Sequence, residues 1–440
     1  MAQFRTTADL CDSALRTAGE VTSGTSAYET QVLDALNRVH YTLVCGGTIP
    51  LLKDSSVTID EVWPWARSAR PLILELQPKI TAGSVSVTVN SEAGTFSSAP
   101  TVSVAGWYMR VAGASEVMRV GAHTASQTAF EFDAPFLGST SGTATYELFK
   151  LDYDLLPEYI VVDSMNNKLQ FQETAGTTLT ATLTSGVYTP AQLATEVETQ
   201  LNATGGTPVY TVSYSATTRK FTLASDRASS AVFVLVGTGD QSAYSVHKTL
   251  GFDDENTTNA ASVVSTYPLG GLARIIEPMK IRKAAEDGSV YGVDPETFQR
   301  SYPLVIAEQG IPDRFTVLRE STDGVFTVRF NRYPAEKTRV EVEHTPIPRD
   351  LKDSSASIPL VPRKWVDVLE DAAVFYTMLA KNDDKMQVYA NLVQSKLLAM
   401  VSQHRGSQVR FGKNFGQIVP RPEQMPPRGR GLLKRGGYTP

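Results

Sequence analysis

Cysteine is nearly absent from this chain. Cys11 and Cys45 are the two among 440 residues, too few for a disulfide framework, and both fall in predicted helices where a thiol behaves as a small apolar group. No apolar run approaches the roughly 18–20 residues that a membrane helix needs. Met1–Arg5 opens without the apolar segment of a signal peptide, so a reducing compartment is expected. Chemistry-bearing motifs are equally scarce. The five histidines (His40, His123, His247, His344 and His404) show no metal-ligand spacing and have no cysteine nearby. Gly237-Thr238-Gly239-Asp240 lacks the lysine and the following helix of a phosphate cradle, no nucleophile elbow occurs, and Asp253-Asp254 reads as an exposed loop pair. Neither catalysis nor a cofactor or metal is expected.

What is present is an ordinary globular composition, 42% hydrophobic and 20% charged, with an uneven distribution of charge. The net charge is −5. Eight basic residues (Arg405, Arg410, Lys413, Arg421, Arg428, Arg430, Lys434 and Arg435) face one acid, Glu423, after residue 404, so this end carries +7 and the rest −12. With Pro420, Pro422, Pro426 and Pro427 among its glycines, the terminal segment cannot build a core. Residues 406–440 are read as an extended strap that, with Arg405, docks on acidic protein surface through those eight side chains; a plain solvated terminus is the first alternative and nucleic-acid binding the weaker one, because regular aromatic interleaving is missing.

Helical periodicity is confined largely to the two ends. Thr6 and Asp9 form a capping pair before Leu10, Ala14 and Leu15; Ser26 and Glu29 form a second before Val32, Leu36, Val39 and Leu43. From Pro362, Trp365, Leu369, Tyr376 and Leu379 line one helix face, and after Asn382-Asp383-Asp384 a second helix carries Tyr389, Val393 and Leu397 until Gly406. Each hairpin is one-sided, so the two are expected to pack as one helical layer. Trp63-Pro64-Trp65 is expected to dock against that layer.

Between them the pattern is β. Short Val-, Thr- and Ser-rich runs from Ser84 to Phe149 predict a small antiparallel barrel or sandwich. Residues 165–265, with Thr189 capping a helix that opens on Pro190, read as an inserted module of strands around one helix. Strands resume in 266–361, with Asp323-Gly324 as a tight turn. The expected class is therefore α+β, with a helical layer from the N- and C-terminal hairpins (1–53 and 362–405), a central antiparallel β domain (54–164 with its return at 266–361), an inserted α+β domain and the basic tail.

That order of segments resembles the head-to-tail adaptor proteins (gatekeeper or tubular type) of tailed bacteriophages. The features that carry the likeness are the N-terminal hairpin, Trp63-Pro64-Trp65-Ala66-Arg67, Tyr153-Asp154-Leu155-Leu156-Pro157-Glu158, Val325–Phe330 with Tyr333-Pro334, Arg339–Glu343, Ile358-Pro359 and the Trp365–Arg405 helices. They cover 1–157 and 270–405; the 165–265 module departs from minimal members. The resemblance implies a structural virion protein at the head–tail junction, assembled in the host cytoplasm as a homo-oligomeric, dodecameric ring. Its implied partners are the portal protein and a downstream tail or nozzle component. DNA would pass through its channel without sequence-specific binding, and no membrane is involved. A receptor- or glycan-binding tail protein, working through the 165–265 module, is the alternative.

Overall fold

The structure is a computed structural model that describes residues 5–20, 28–52, 55–68, 71–157, 159–206, 208–227, 232–253, 255–282, 287–322, 324–352 and 359–414. It corrects the expected class. Strands make up 34% of the described residues and helices 27%, so the protein is mainly β and not an α+β fold organised by a helical layer. The reason is physical: most strands here are three to seven residues long, each too short for a strong local pattern, and their pairing is decided far away in sequence.

The α-helices of the described residues are α1 (Thr7–Thr17), α2 (Glu29–Cys45), α3 (Pro190–Thr204), α4 (His247–Leu250), α5 (Pro295–Ser301), α6 (Val366–Lys381) and α7 (Met386–Asn414). Helices α1, α2, α6 and α7 share one hydrophobic core. α1 starts where Thr6 and Asp9 bond each other's backbone N–H, the capping box its sequence spells. Ser26 lies outside the described residues; α2 begins at Glu29 behind Tyr28. Asn382, in the left-handed region at φ 54°, ends α6 by donating its N–H to the Leu379 carbonyl. The two chain ends are stitched by polar contacts as well: Arg5 pairs with Glu370 of α6, and Lys381 Nζ donates to the Ala18 carbonyl at 2.9 Å. A β-hairpin (Gly47–Leu52 with Ser55–Ile59) lies on the same core through Ile49, Leu51, Val57 and Ile59.

Two seven-stranded sheets follow. In the first, the order is Tyr146–Phe149, Tyr108–Val111, Val117–His123, Ala129–Phe132, Ala93–Phe96, Val85–Val87, Ser141–Ala144. Its first and last members are one strand bent at Thr145, whose carbonyl accepts from Ala112 N–H at 2.9 Å. The sheet therefore closes on itself around Phe96, Trp107, Phe130, Phe132 and Leu148 and exposes no edge. The second runs Asp152–Asp154, Phe326–Phe330, Arg314–Glu320, Asp287–Gly292, Leu272–Arg282, Thr338–Pro346, Leu72–Leu76. It too curls until its ends approach, Gln77 N–H donating to Tyr153 Oη at 2.9 Å. A charged seam joins the two sheets. Arg329 donates to both carboxylate oxygens of Asp152, at 2.6 and 2.9 Å, and to Tyr108 Oη across the junction. Glu147 gathers Lys79, Arg110 and Tyr333 beside it.

The expected β domain over 54–164 is thus divided. Ser55–Ile59 and Trp63 belong with the helices, and Leu72–Leu76 and Asp152–Asp154 complete a sheet with the return segment. Ile160–Val162 pairs with Gly186–Tyr188 inside the inserted module. That module has its own core of Phe171, Leu193, Val197, Leu201, Phe221 and Phe233, which also takes in Ile160 and Val162 and packs against Leu269. Its bounds are nearer 160–269 than 165–265. The chain leaves and returns at one point: a Cβ on Gly270 would lie 2.6 Å from Pro157 Cδ.

Candidate functional site

The helices place the sequence-selected packing residues unevenly. Leu369, Val393 and Leu397 are fully buried in the shared core, and Trp365, Tyr376 and Tyr389 lie half-buried against it. Leu379 does not join them. It is 42% exposed, because it sits in the last turn of α6, next to the cap at Asn382. Tyr376 keeps a polar end, its hydroxyl donating to the Pro50 carbonyl at 2.6 Å.

Gly406 does not end the last helix. α7 runs 29 residues to Asn414, about 43 Å at 1.5 Å per residue. Glycine costs a helix only about 1 kcal/mol relative to alanine, which neighbouring helix formers offset. The boundary drawn at 405/406 therefore moves, and the positions of Arg405, Arg410 and Lys413 are helical, not extended. Arg421, Arg428, Arg430, Lys434 and Arg435 lie outside the described residues.

Where α7 leaves the core, the Trp63–Trp65 segment meets it. The two indoles stack at 5.8 Å, and His404 stands edge-on to Trp63 at 5.0 Å. His404 Nε2 lies 3.6 Å from the buried Glu61 carboxylate. This cluster fixes the last turn before the basic run to the rest of the body.

A second polar contact set, not singled out from the sequence, anchors the connector that leads from the second sheet into α6. Asn37 and His40, three residues apart on α2 and so on one face, grip it at two places. Asn37 exchanges two hydrogen bonds with the backbone of Leu351, and Leu360 N–H donates to His40 Nε2 at 3.1 Å. Burial pushes the His40 imidazole down to about 4, which keeps that nitrogen an acceptor. The connector also reaches the inserted module: Arg349 donates to the carbonyls of Phe252 and Lys248, and Lys352 pairs with Asp253 at 2.9 Å. Burial works to raise the Asp253 carboxyl, but hydrogen bonds from Lys352 and Thr266 hold it below the usual range. Between these contacts lies a cleft of about 390 Å³ lined by His40, Lys248, Asp253, Arg349, Lys352 and Leu360. Within its lining Lys352 pairs with Asp253 and Glu255, and Arg349 is spent on carbonyls, so these contacts tie the connector to the inserted module.

The remaining histidines are locally engaged as well. His123 accepts from Val104 N–H at 3.2 Å, and His344 is held near the Val342 carbonyl. Among the described residues no group of three or more His, Cys, Asp or Glu is arranged to hold a metal, and no helix is long and apolar enough to cross a membrane. No family model and no curated protein matches the chain.

Proposed function

We propose that this chain is a non-catalytic assembly protein, a ring-forming head-to-tail adaptor that joins a phage portal to the tail around the DNA exit channel. The observation that carries the reading is the common core of both chain ends: α1 and α2 close on α6 and α7, and the β units are looped out between them. A protein built this way presents one helical platform with a long helix leading to a basic terminus, and separate β units for other neighbours. That is the segment order in which the chain resembles the adaptor class. An acidic body of net charge −12 suits a channel wall that DNA must slide past, because carboxylates repel phosphates. The basic end suits an acidic protein partner, with arginines able to pair carboxylates bidentately.

The glycan-binding alternative is not favoured. Tyr244, 42% exposed, is the one aromatic among the module's exposed large apolar side chains in the described residues, which offers little platform for a sugar ring. A binding assay against phage portal rings tests the adaptor reading. The full chain is expected to bind, and truncation after Asn414 should leave the fold intact while weakening binding, most clearly at low salt where screening is least. Equal binding by both forms would remove the strap from the account, and no binding by either would overturn the reading.

A further inference from the structure

The solvent face of α7 differs from those of the other core helices. The helix has no Asp or Glu in its 29 residues. Between Met386 and His404 its one formal charge, Lys396, is turned onto Asp371 of α6. What remains exposed is aliphatic, amide and hydroxyl, with Gln387, Val388, Asn391, Leu392, Leu398 and Ala399 prominent. Val388 is 64% and Leu398 54% exposed. The exposed side of α2, by contrast, carries Asp34 and Arg38, as a helix facing water ordinarily does. Depletion of Lys, Glu and Asp is the compositional mark of the centre of a protein interface.

Charge indicates what covers this face. With −12 on residues 1–404, two copies of the chain carry a net repulsion. The acid-free helix is where that repulsion is least, and Arg405, Arg410 and Lys413 continue the same helix with positive charge that an acidic neighbour attracts. We propose that the uncharged face of α7 is the contact between copies of this chain. The inference deepens the adaptor reading and rests on it for the ring, though not for the contact. From Met386 to His404 the helix is about 28 Å long, and a strip about 10 Å wide gives about 300 Å² per copy. Some 600 Å² in total, roughly, falls below the 1,200–2,000 Å² of a stable two-body interface. Two free copies therefore associate weakly, and a closed ring, in which α7 of each copy meets a different, acidic surface of the next, gains by multiplicity.

Sedimentation equilibrium of the full chain from roughly 10 µM to 1 mM, the range suited to so small an interface, tests this. The average mass should rise above 47.8 kDa with concentration. Val388→Glu with Leu392→Glu should move that rise to at least about tenfold higher concentration, since like charges would then meet at the contact. Circular dichroism and the melting temperature should not change, because both side chains face solvent. If the Glu pair loses its cooperative melt, Val388→Gln with Leu392→Gln carries the test and should weaken association by several-fold. A wild-type chain that stays at the monomer mass throughout, or a Glu variant that associates like the wild type, overturns the proposal. Self-association through α7 without portal binding would leave this inference standing and remove the adaptor reading; portal binding by single copies would do the reverse.

Discussion

Asn37 and Leu351, 314 positions apart, hold each other by two hydrogen bonds: the Asn37 amide donates to the Leu351 carbonyl at 3.0 Å, and Leu351 N–H donates to Asn37 Oδ1 at 2.5 Å. One side chain on α2 thereby satisfies both backbone groups of a buried residue in the connector. Asn37→Ala leaves both without that partner and should cost about 2 kcal/mol. Asn37→Asp, which keeps the acceptor but sets a carboxylate oxygen against the Leu351 carbonyl, should cost at least as much. Denaturant titration of the two variants checks the order; an alanine variant as stable as the wild type would show that water replaces the side chain.

His40 makes the same joint pH-sensitive. In the folded protein burial holds its imidazole down to about 4, against an ordinary value of 6.5. The unfolded chain therefore binds more protons between those values, so stability is intact above the upper one and is lost as pH falls toward the lower. Protonation also removes the acceptor for Leu360 N–H. Between pH 7 and pH 5 this should amount to about 2 kcal/mol. His40→Gln should flatten the difference in melting temperature between those two pH values; an unchanged pH dependence would assign it to other groups.

Adjacent residues of α7 should behave oppositely. Leu397 is fully buried and Leu398 is 54% exposed. Leu397→Ala should cost about 3 kcal/mol through lost burial and the cavity it leaves. Leu398→Ala should stay within about 0.5 kcal/mol. Equal effects in chemical denaturation would mean that α7 is turned otherwise on its neighbours.

The inserted module should come out cleanly when cut at its true neck. Replacing residues 158–269 by a short Gly/Ser bridge joins Pro157 to Gly270, which are already in contact, and removes a core that is separate from the others. The remainder should keep a cooperative melt, weakened by loss of the Arg349 and Lys352 contacts. A cut at 165 and 265 should fare worse, because it strands Ile160, Val162 and Leu269 without the core they pack on.

Local chemistry was what the sequence displayed best. Thr6 with Asp9, and Thr189 with Pro190, announce α1 and α3 because a cap is written within four residues. The burial of Leu369, Val393 and Leu397 follows from helical spacing. Non-local choices were not displayed. Nothing in Leu72–Leu76 says that it pairs with Thr338–Val342, or that Ser141–Phe149 bends to close a barrel. Those pairings built up the β content that outweighs the helices. Gly406 looks like a stop and is not one, because a single glycine is a modest penalty in a long helix. Leu379 has the right spacing, but its place in the final turn of α6 leaves it in water. Asn37 and His40 could have been found as a polar pair three residues apart on an otherwise apolar helix face, yet their partner is a backbone segment more than 300 residues on.

The proposed adaptor role is probed by the native mass of the full chain mixed with a phage portal ring. One discrete complex is expected, in which many copies of the 47.8 kDa chain sit on each portal ring, in a fixed ratio and with no intermediate of one or two copies persisting at saturation. A portal ring that keeps its own mass, beside a chain that keeps its own, would contradict it.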